Sequence, residues 1–233
     1  NFKIVEILER EFKVDAYLIN DAISATLAEK FYGKGKNYEN LVYVTISSGI
    51  GGGAIINNKL ILGKEGNALE IGHMRVDLEN RLKCGCGKYG HWEAYCSGKG
   101  IPNFVKYLAK NFRDVKKSKL YLATHGFKNL EAKHVFEFAK VDKFARYVVE
   151  EIGKINSIAI SNLINLFDPE IIIIGGSVAL NNKELILKPI KKHLKENVFN
   201  RIPKITFTDL KENSLLGAFL IAKNGYEILR SLE

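Results

Sequence analysis

The chain opens on an amphipathic pattern. Between Phe2 and Phe12, apolar Ile4, Val5, Ile7 and Leu8 recur at helical spacing among charged neighbours, which predicts a helix. Val14 to Ile19 reads as a short strand. Asn20-Asp21 then precede Ala22 to Glu29, a helical pattern with an Asn/Asp start signal, and Gly33 and Gly35 end it. Leu41 to Ile46 is a mostly apolar, β-rich strand. Ala54-Ile55-Ile56 and Lys59 to Leu62 flank Asn57-Asn58 as the arms of a hairpin. Residues 63–100 are loop-rich. From Ile101 the pattern turns helical, and Val141 to Leu166 predicts a long amphipathic helix that Asp168-Pro169 breaks. Ile171-Ile172-Ile173-Ile174 is an unbroken β-branched run, as expected of a central strand covered on both faces. A helix over 183–195, a strand over 204–208 and a helix over 214–229 complete the series. Strands alternating with helices predict an α/β fold.

Composition narrows the picture. The 233 residues are 46% hydrophobic and 26% charged, ordinary for a globular chain with a real core. The length fits one large domain or two small ones. No apolar run reaches the roughly 18–20 residues of a membrane span, and the first ten residues lack signal-peptide character. The net charge of +9 raises nucleic acid as a partner. The lysines are scattered, however, and their densest cluster is Lys116-Lys117-Ser118-Lys119, so the charge argues for solubility rather than a site. Cys84, Cys86 and Cys96 are the three cysteines. An odd number crowded together is poor disulfide arithmetic and reads better as metal ligation in a reducing cytoplasm.

Two glycine-rich turns are candidates for phosphate and nucleotide. Ser47-Ser48-Gly49-Ile50-Gly51-Gly52-Gly53 follows a buried strand. Glycines admit a ligand close to the backbone, and successive N–H groups form an anion-binding concavity. The alternative is a hairpin that only turns a corner. The pattern is neither a P-loop nor G-x-G-x-x-G. Gly175-Gly176-Ser177 ends the isoleucine strand, where ligands of open α/β sheets gather, or it is simply a tight strand-to-helix turn.

His73, Cys84, Cys86 and His91 lie within nineteen residues. Two thiolates and two imidazoles suit a closed, structural tetrahedral zinc site; the alternative is free cysteines with surface histidines. Cys96 is expected to be a packing residue. Glu70 and Glu93 flank this cluster and are candidates to accept sugar hydroxyls, or are solvated charges. One nitrogen of His73 is expected on the metal and the other toward a ligand. Asp21 is either a helix cap or a general base in phosphoryl transfer.

Taken in order, Asn20-Asp21-Ala22, Ser48 to Gly53, Glu70-Ile71-Gly72-His73, Cys84-x-Cys86-Gly87-x-x-Gly90-His91-x-Glu93, and Asn165 to Glu170 with Gly175-Gly176 resemble the ROK family of repressors, open reading frames and sugar kinases. The resemblance implies an actin-like ATPase fold of the hexokinase type, two α/β lobes around a cleft. It implies a first lobe within residues 1–100 and a second over 101–233. It implies ATP-dependent phosphorylation of a hexose or N-acetylhexosamine, with Asp21 as base and Asn20, Glu70, His73 and Glu93 on the sugar. Ser48, Gly49, Gly51 and Gly52 would contact ATP phosphates, and Gly176 and Ser177 would lie near the adenosine. His73, Cys84, Cys86 and His91 would hold structural Zn²⁺, and Mg²⁺ would accompany ATP. A homo-oligomer, dimer or tetramer, is implied as well. A sugar-sensing regulator or other sugar-binding protein is the competing reading. His91 stands where the family commonly has Cys, and Ser47-Ser48 where it often has Gly-Thr. The family's opening D-x-G-G-T phosphate loop is not in this sequence, so the N-terminal lobe is expected to be incomplete.

Overall fold

The computed structural model describes residues 2–225. Helix α1 (Ile4–Phe12) and helix α2 (Asp21–Phe31) precede strands β1 (Leu41–Ile46), β2 (Ile50–Ile56) and β3 (Lys59–Leu60). A long irregular stretch holds a 3-10 turn at Ile71–His73 and the short helix α3 (Glu93–Cys96). Helices α4 (Ile101–Ala109), α5 (Lys119–Ala123), α6 (Ala132–Phe138) and α7 (Lys143–Phe167) follow. Strand β4 (Ile171–Gly175), helices α8 (Ser177–Asn181) and α9 (Lys183–Leu194), strand β5 (Lys204–Phe207) and helix α10 (Asn213–Asn224) close the described chain. The part of the expected last helix beyond Gly225 lies outside the described residues. No helix among them is long and apolar enough to cross a membrane.

The five strands form one sheet in the order β3-β2-β1-β4-β5. β1, β2 and β3 pair antiparallel, whereas β1 with β4 and β4 with β5 pair parallel. Strands from both sides of residue 100 therefore share this sheet, and the expected division at that residue falls across it. Asn57 and Asn58 both take positive φ, 51° and 54°, the conformation of a tight two-residue hairpin turn.

β1 and β4 are apolar throughout because both faces are covered. Val42, Val44, Ile46, Ile172 and Ile174 enter the core beneath α7. Leu41, Tyr43, Ile171 and Ile173 point the other way, against α2 and α10. The two-residue period of a strand splits one apolar run between two cores.

The run Val14 to Ile19 does not form the expected strand. Tyr17 and Ile19 lean on the second core, but Val14 and Leu18 are exposed. Among the described residues the five-stranded sheet does not include this segment.

α2 is buried from Ala22 to Glu29 because it lies between the sheet and α10. Small residues make that fit. A Cβ at Gly53 would sit 2.1 Å from Thr26 Oγ1, and one at Gly217 of α10 would sit 1.8 Å from the carbonyl oxygen of Ser24. The Glu29 carboxylate, wholly buried, accepts from the Thr208 hydroxyl and from Lys34 N–H, which ties α2 to the end of β5. Burial pushes its pKa up against those bonds.

Gly217→Ala should force α10 off α2 and lower the unfolding free energy in urea by about 1–3 kcal/mol. Gly85→Ala, whose Cβ would meet nothing within 4 Å, should stay within about 0.5 kcal/mol of the original.

Candidate active site and metal centre

Parallel pairing sets the carboxyl ends of β1 and β4 side by side, with Thr45 opposite Gly175. The turn after β1 and the turn after β4 therefore meet, and Ser47 Oγ lies 3.1 Å from Ser177 Oγ. Gly176 has φ +88°, and a Cβ there would fall 2.4 Å from the Ile46 carbonyl oxygen. Only glycine lets the second turn come this close.

The first turn is Ser47-Ser48-Gly49, closed by Ser47 N–H donating to the Gly49 carbonyl at 2.9 Å. Gly51, Gly52 and Gly53 are not turn residues, although the sequence grouped them with it. They belong to β2, and packing requires them: a Cβ at Gly52 would sit 2.4 Å from Ile71 Cδ1 and 2.8 Å from the Tyr43 carbonyl oxygen. Gly51 and Gly52 still border the site, because strand backbone without side chains forms part of its wall.

A cavity of about 430 Å³ opens beside this turn. Asn20, Asp21, Ser48, Gly49, Glu70 and Glu93 line it together. Asn20 caps α2, its Oδ1 accepting from Ala22 N–H at 2.9 Å and Ile23 N–H at 3.2 Å. That leaves Asp21 as the first helical residue, with an exposed carboxylate at an end of the helix that favours negative charge. Its Oδ1 accepts from Ala22 N–H at 2.8 Å. The capping of α2 thus falls mainly to Asn20 rather than to Asp21.

Glu93 begins α3 and reaches into the same cavity. Its Oε2 accepts from Ile50 N–H at 2.9 Å, and a Cβ at Gly49 would press on that oxygen at 2.6 Å. Its Oε1 lies 3.8 Å from Cys84 Sγ. One carboxylate thus touches the first turn, the cavity and the cysteine cluster.

The donor atoms of His73, Cys84, Cys86 and His91 all lie within 4.8 Å of one another. Cys84 Sγ is 3.7 Å from His73 Nδ1, and Cys86 Sγ is 3.3 Å from His91 Nδ1. Burial pushes the Cys84 thiol up, and Cys86 and Glu93 add to it. Burial lowers the pKa of His91, and His73, Lys88 and Arg75 add to that. An imidazole kept neutral beside crowded sulfurs is what a metal ion needs from its ligands, and these four could hold one. His73 is not among the residues that line the cavity; its Nδ1 faces Cys84. Cys96 is buried, with Sγ 3.6 Å from the Ile152 carbonyl oxygen, a packing residue as expected.

Thr45, Leu69 and Ser214 also line the cavity, and none of them belongs to a sequence motif. Ser214 arrives from 193 positions beyond Asp21 because α10 packs on α2, where Ser24 Oγ donates to its carbonyl at 2.6 Å. No local signal marks it. Leu69 has φ +63°, an uncommon conformation for a bulky residue that no sequence pattern announces.

Asp77 is a further buried group, 2% exposed. Burial opposes its ionised form. Hydrogen bonds from the Arg81 side chain, Tyr95, and the N–H groups of Arg81 and Glu79 outweigh that and bring its pKa down from 3.8 to about 2. A depressed carboxylate stabilises the fold above its unfolded value and loses that contribution as pH falls through its folded value. In metal-free protein, Asp77→Asn should therefore be the less stable form near pH 5. Urea unfolding should show the gap narrowing by about 2 kcal/mol toward pH 2.

The ROK family profile matches residues 1–225. A glucokinase of Aeropyrum pernix is 35% identical over 232 residues, 97% of this chain and 72% of the relative. A ROK family glucokinase from Streptomyces griseus, solved in complex with glucose and AMPPNP, superposes with a TM-score of 0.80 at 31% identity, covering 95% of this chain and 72% of that one. A ROK family transcriptional regulator, a homologue of the E. coli MLC protein, superposes with a TM-score of 0.81 at 25% identity, covering 98% of this chain and 57% of that one. The fold is thus the α/β, actin-like one that the motifs implied, and the chain belongs to the ROK family.

Proposed function

We propose that this chain carries the sugar site and part of the nucleotide site of an ATP-dependent kinase for a hexose or N-acetylhexosamine, glucose first among them. One observation carries the reading: Asp21 lines the same cavity as the Ser48-Gly49 turn and the carboxylates of Glu70 and Glu93. A base, a phosphate cradle and hydroxyl acceptors thus surround one space of small-ligand size. The likeness to a glucokinase and to a structure holding glucose and AMPPNP supports both ligands.

In this reading Glu70, Glu93 and Asn20 hold sugar hydroxyls and fix the ring. The Asp21 carboxylate takes the proton of one further hydroxyl. The freed oxygen attacks the γ-phosphorus of ATP, the bond to the bridging oxygen breaks, and ADP leaves with its electron pair. Ser48, Gly49, Gly51 and Gly52 border the phosphates, and Gly176 and Ser177 the adenosine. Mg²⁺ bound with the phosphates would offset their charge. His73, Cys84, Cys86 and His91 would hold Zn²⁺, and a site with four protein donors would serve a structural role. It would brace the loop on which Glu93 leans. His73 then serves the metal rather than the sugar.

The likeness to a transcriptional regulator favours a second reading, a sugar-responsive binding protein. Asp21 separates the two, because a sensor has no use for a base. Asp21→Asn should cut kcat for glucose phosphorylation by the intact protein roughly 10²–10⁴-fold and leave KM within a few-fold, as read by ADP release. A wild type that is stabilised by glucose against heat yet releases no ADP would favour the sensor.

A further inference from the structure

Residues 74–90 form a strap that carries Cys84 and Cys86 and runs between His73 and His91. Its shape is held by bonds that use none of those four side chains. The buried Asp77 carboxylate accepts from Arg81 N–H at 2.9 Å, Glu79 N–H at 3.1 Å, Arg81 Nε at 3.1 Å and the Tyr95 hydroxyl at 2.5 Å. That same hydroxyl accepts from the backbone N–H of Leu82 at 3.0 Å. Leu82 stands two positions before Cys84. Tyr95 stands two positions after Glu93, on the same short helix α3.

The backbone closes around this point. The N–H groups of Val76 and Asp77 both reach the Gly90 carbonyl, at 2.9 and 3.2 Å, and Gly90 N–H reaches the Leu82 carbonyl at 3.1 Å. Gly90 has φ +76°, and a Cβ there would fall 2.2 Å from the Asp77 carbonyl oxygen. Arg75 is thereby bridged to His91.

We propose that Tyr95 and Asp77 are positioning residues, whose hydrogen bond fixes the strap against α3 so that the Cys84 donor and the Glu93 carboxylate are in place before metal or sugar binds. This rests on the metal and sugar reading given above. The Tyr95 hydroxyl uses both its donor and its acceptor. Removing it leaves Asp77 short of one donor and a Leu82 N–H without its acceptor, a costly outcome in a buried place. The strap would then have to order as the metal binds, and affinity falls when ordering is left to the binding step.

The test is zinc affinity by chelator competition on the wild type, Tyr95→Phe and Ile160→Val. Tyr95→Phe should bind zinc roughly 10–100-fold more weakly, the range for lost groups that orient metal ligands. Its glucose-induced rise in Tm should shrink as well. Ile160→Val only trims the fully buried core under α7; it should lower Tm and keep wild-type zinc affinity. Should Tyr95→Phe not fold, Asp77→Asn is read the same way. Wild-type zinc affinity in Tyr95→Phe, or in Asp77→Asn if that stands in for it, overturns the positioning inference alone. A wild type that takes up no zinc overturns the metal reading and this inference with it, and the first titration distinguishes the two.

Discussion

The site depends on the Glu93 carboxylate. One oxygen accepts from Ile50 N–H at the start of β2, and the other lies near Cys84 in the donor cluster. A half-buried carboxylate that pairs with a backbone N–H is held in place, because breaking the bond strands both groups. Gly49 is glycine because a side chain there would collide with it. The first turn, the cavity wall and the cysteine strap therefore share one anchor. A shift of α3 would move all three, which is why the residues that fix α3 matter as much as those that face the cavity.

A second constraint brings the turns after β1 and β4 to that anchor. β1 and β4 pair in parallel, so their carboxyl ends lie on the same side of the sheet. Parallel neighbours demand a long crossover, here the irregular stretch and the helices up to α7. Those elements fill the face beneath the sheet while the chain returns. The opposite face is closed by α2 and α10, and their close contact delivers Asp21 and Ser214 to one rim. The geometry of the candidate site thus follows from sheet register and helix packing rather than from any one motif.

Much of this was legible in the residues. The isoleucine run from Ile171 to Ile174 announced a doubly covered strand, Asn57-Asn58 announced a hairpin, and Asn20 announced the start of α2. The spacing of His73, Cys84, Cys86 and His91 pointed to a cluster whose donor atoms the fold does bring together. Other features were not local enough to read. Val14 to Ile19 has the composition of a strand but belongs to none of the five described strands. Gly51 to Gly53 resembled a loop because packing against Thr26 and Ile71 demands the same absence of side chain as a phosphate turn. Ser214 belongs to the site only through helix packing. Asp77 and Tyr95 are 18 residues apart, and only folding reveals their hydrogen bond.

The most direct measurement is a crystal structure of the intact protein with glucose and a non-hydrolysable ATP analogue. The account predicts a glucose hydroxyl within about 2.6–3.2 Å of the Asp21 carboxylate, a second hydroxyl on Glu93 with its bond to Ile50 N–H kept, and the terminal phosphate against Ser48 and Gly49. Glucose bound away from Asp21, or phosphates seated away from the Ser47-Ser48-Gly49 turn, would contradict it.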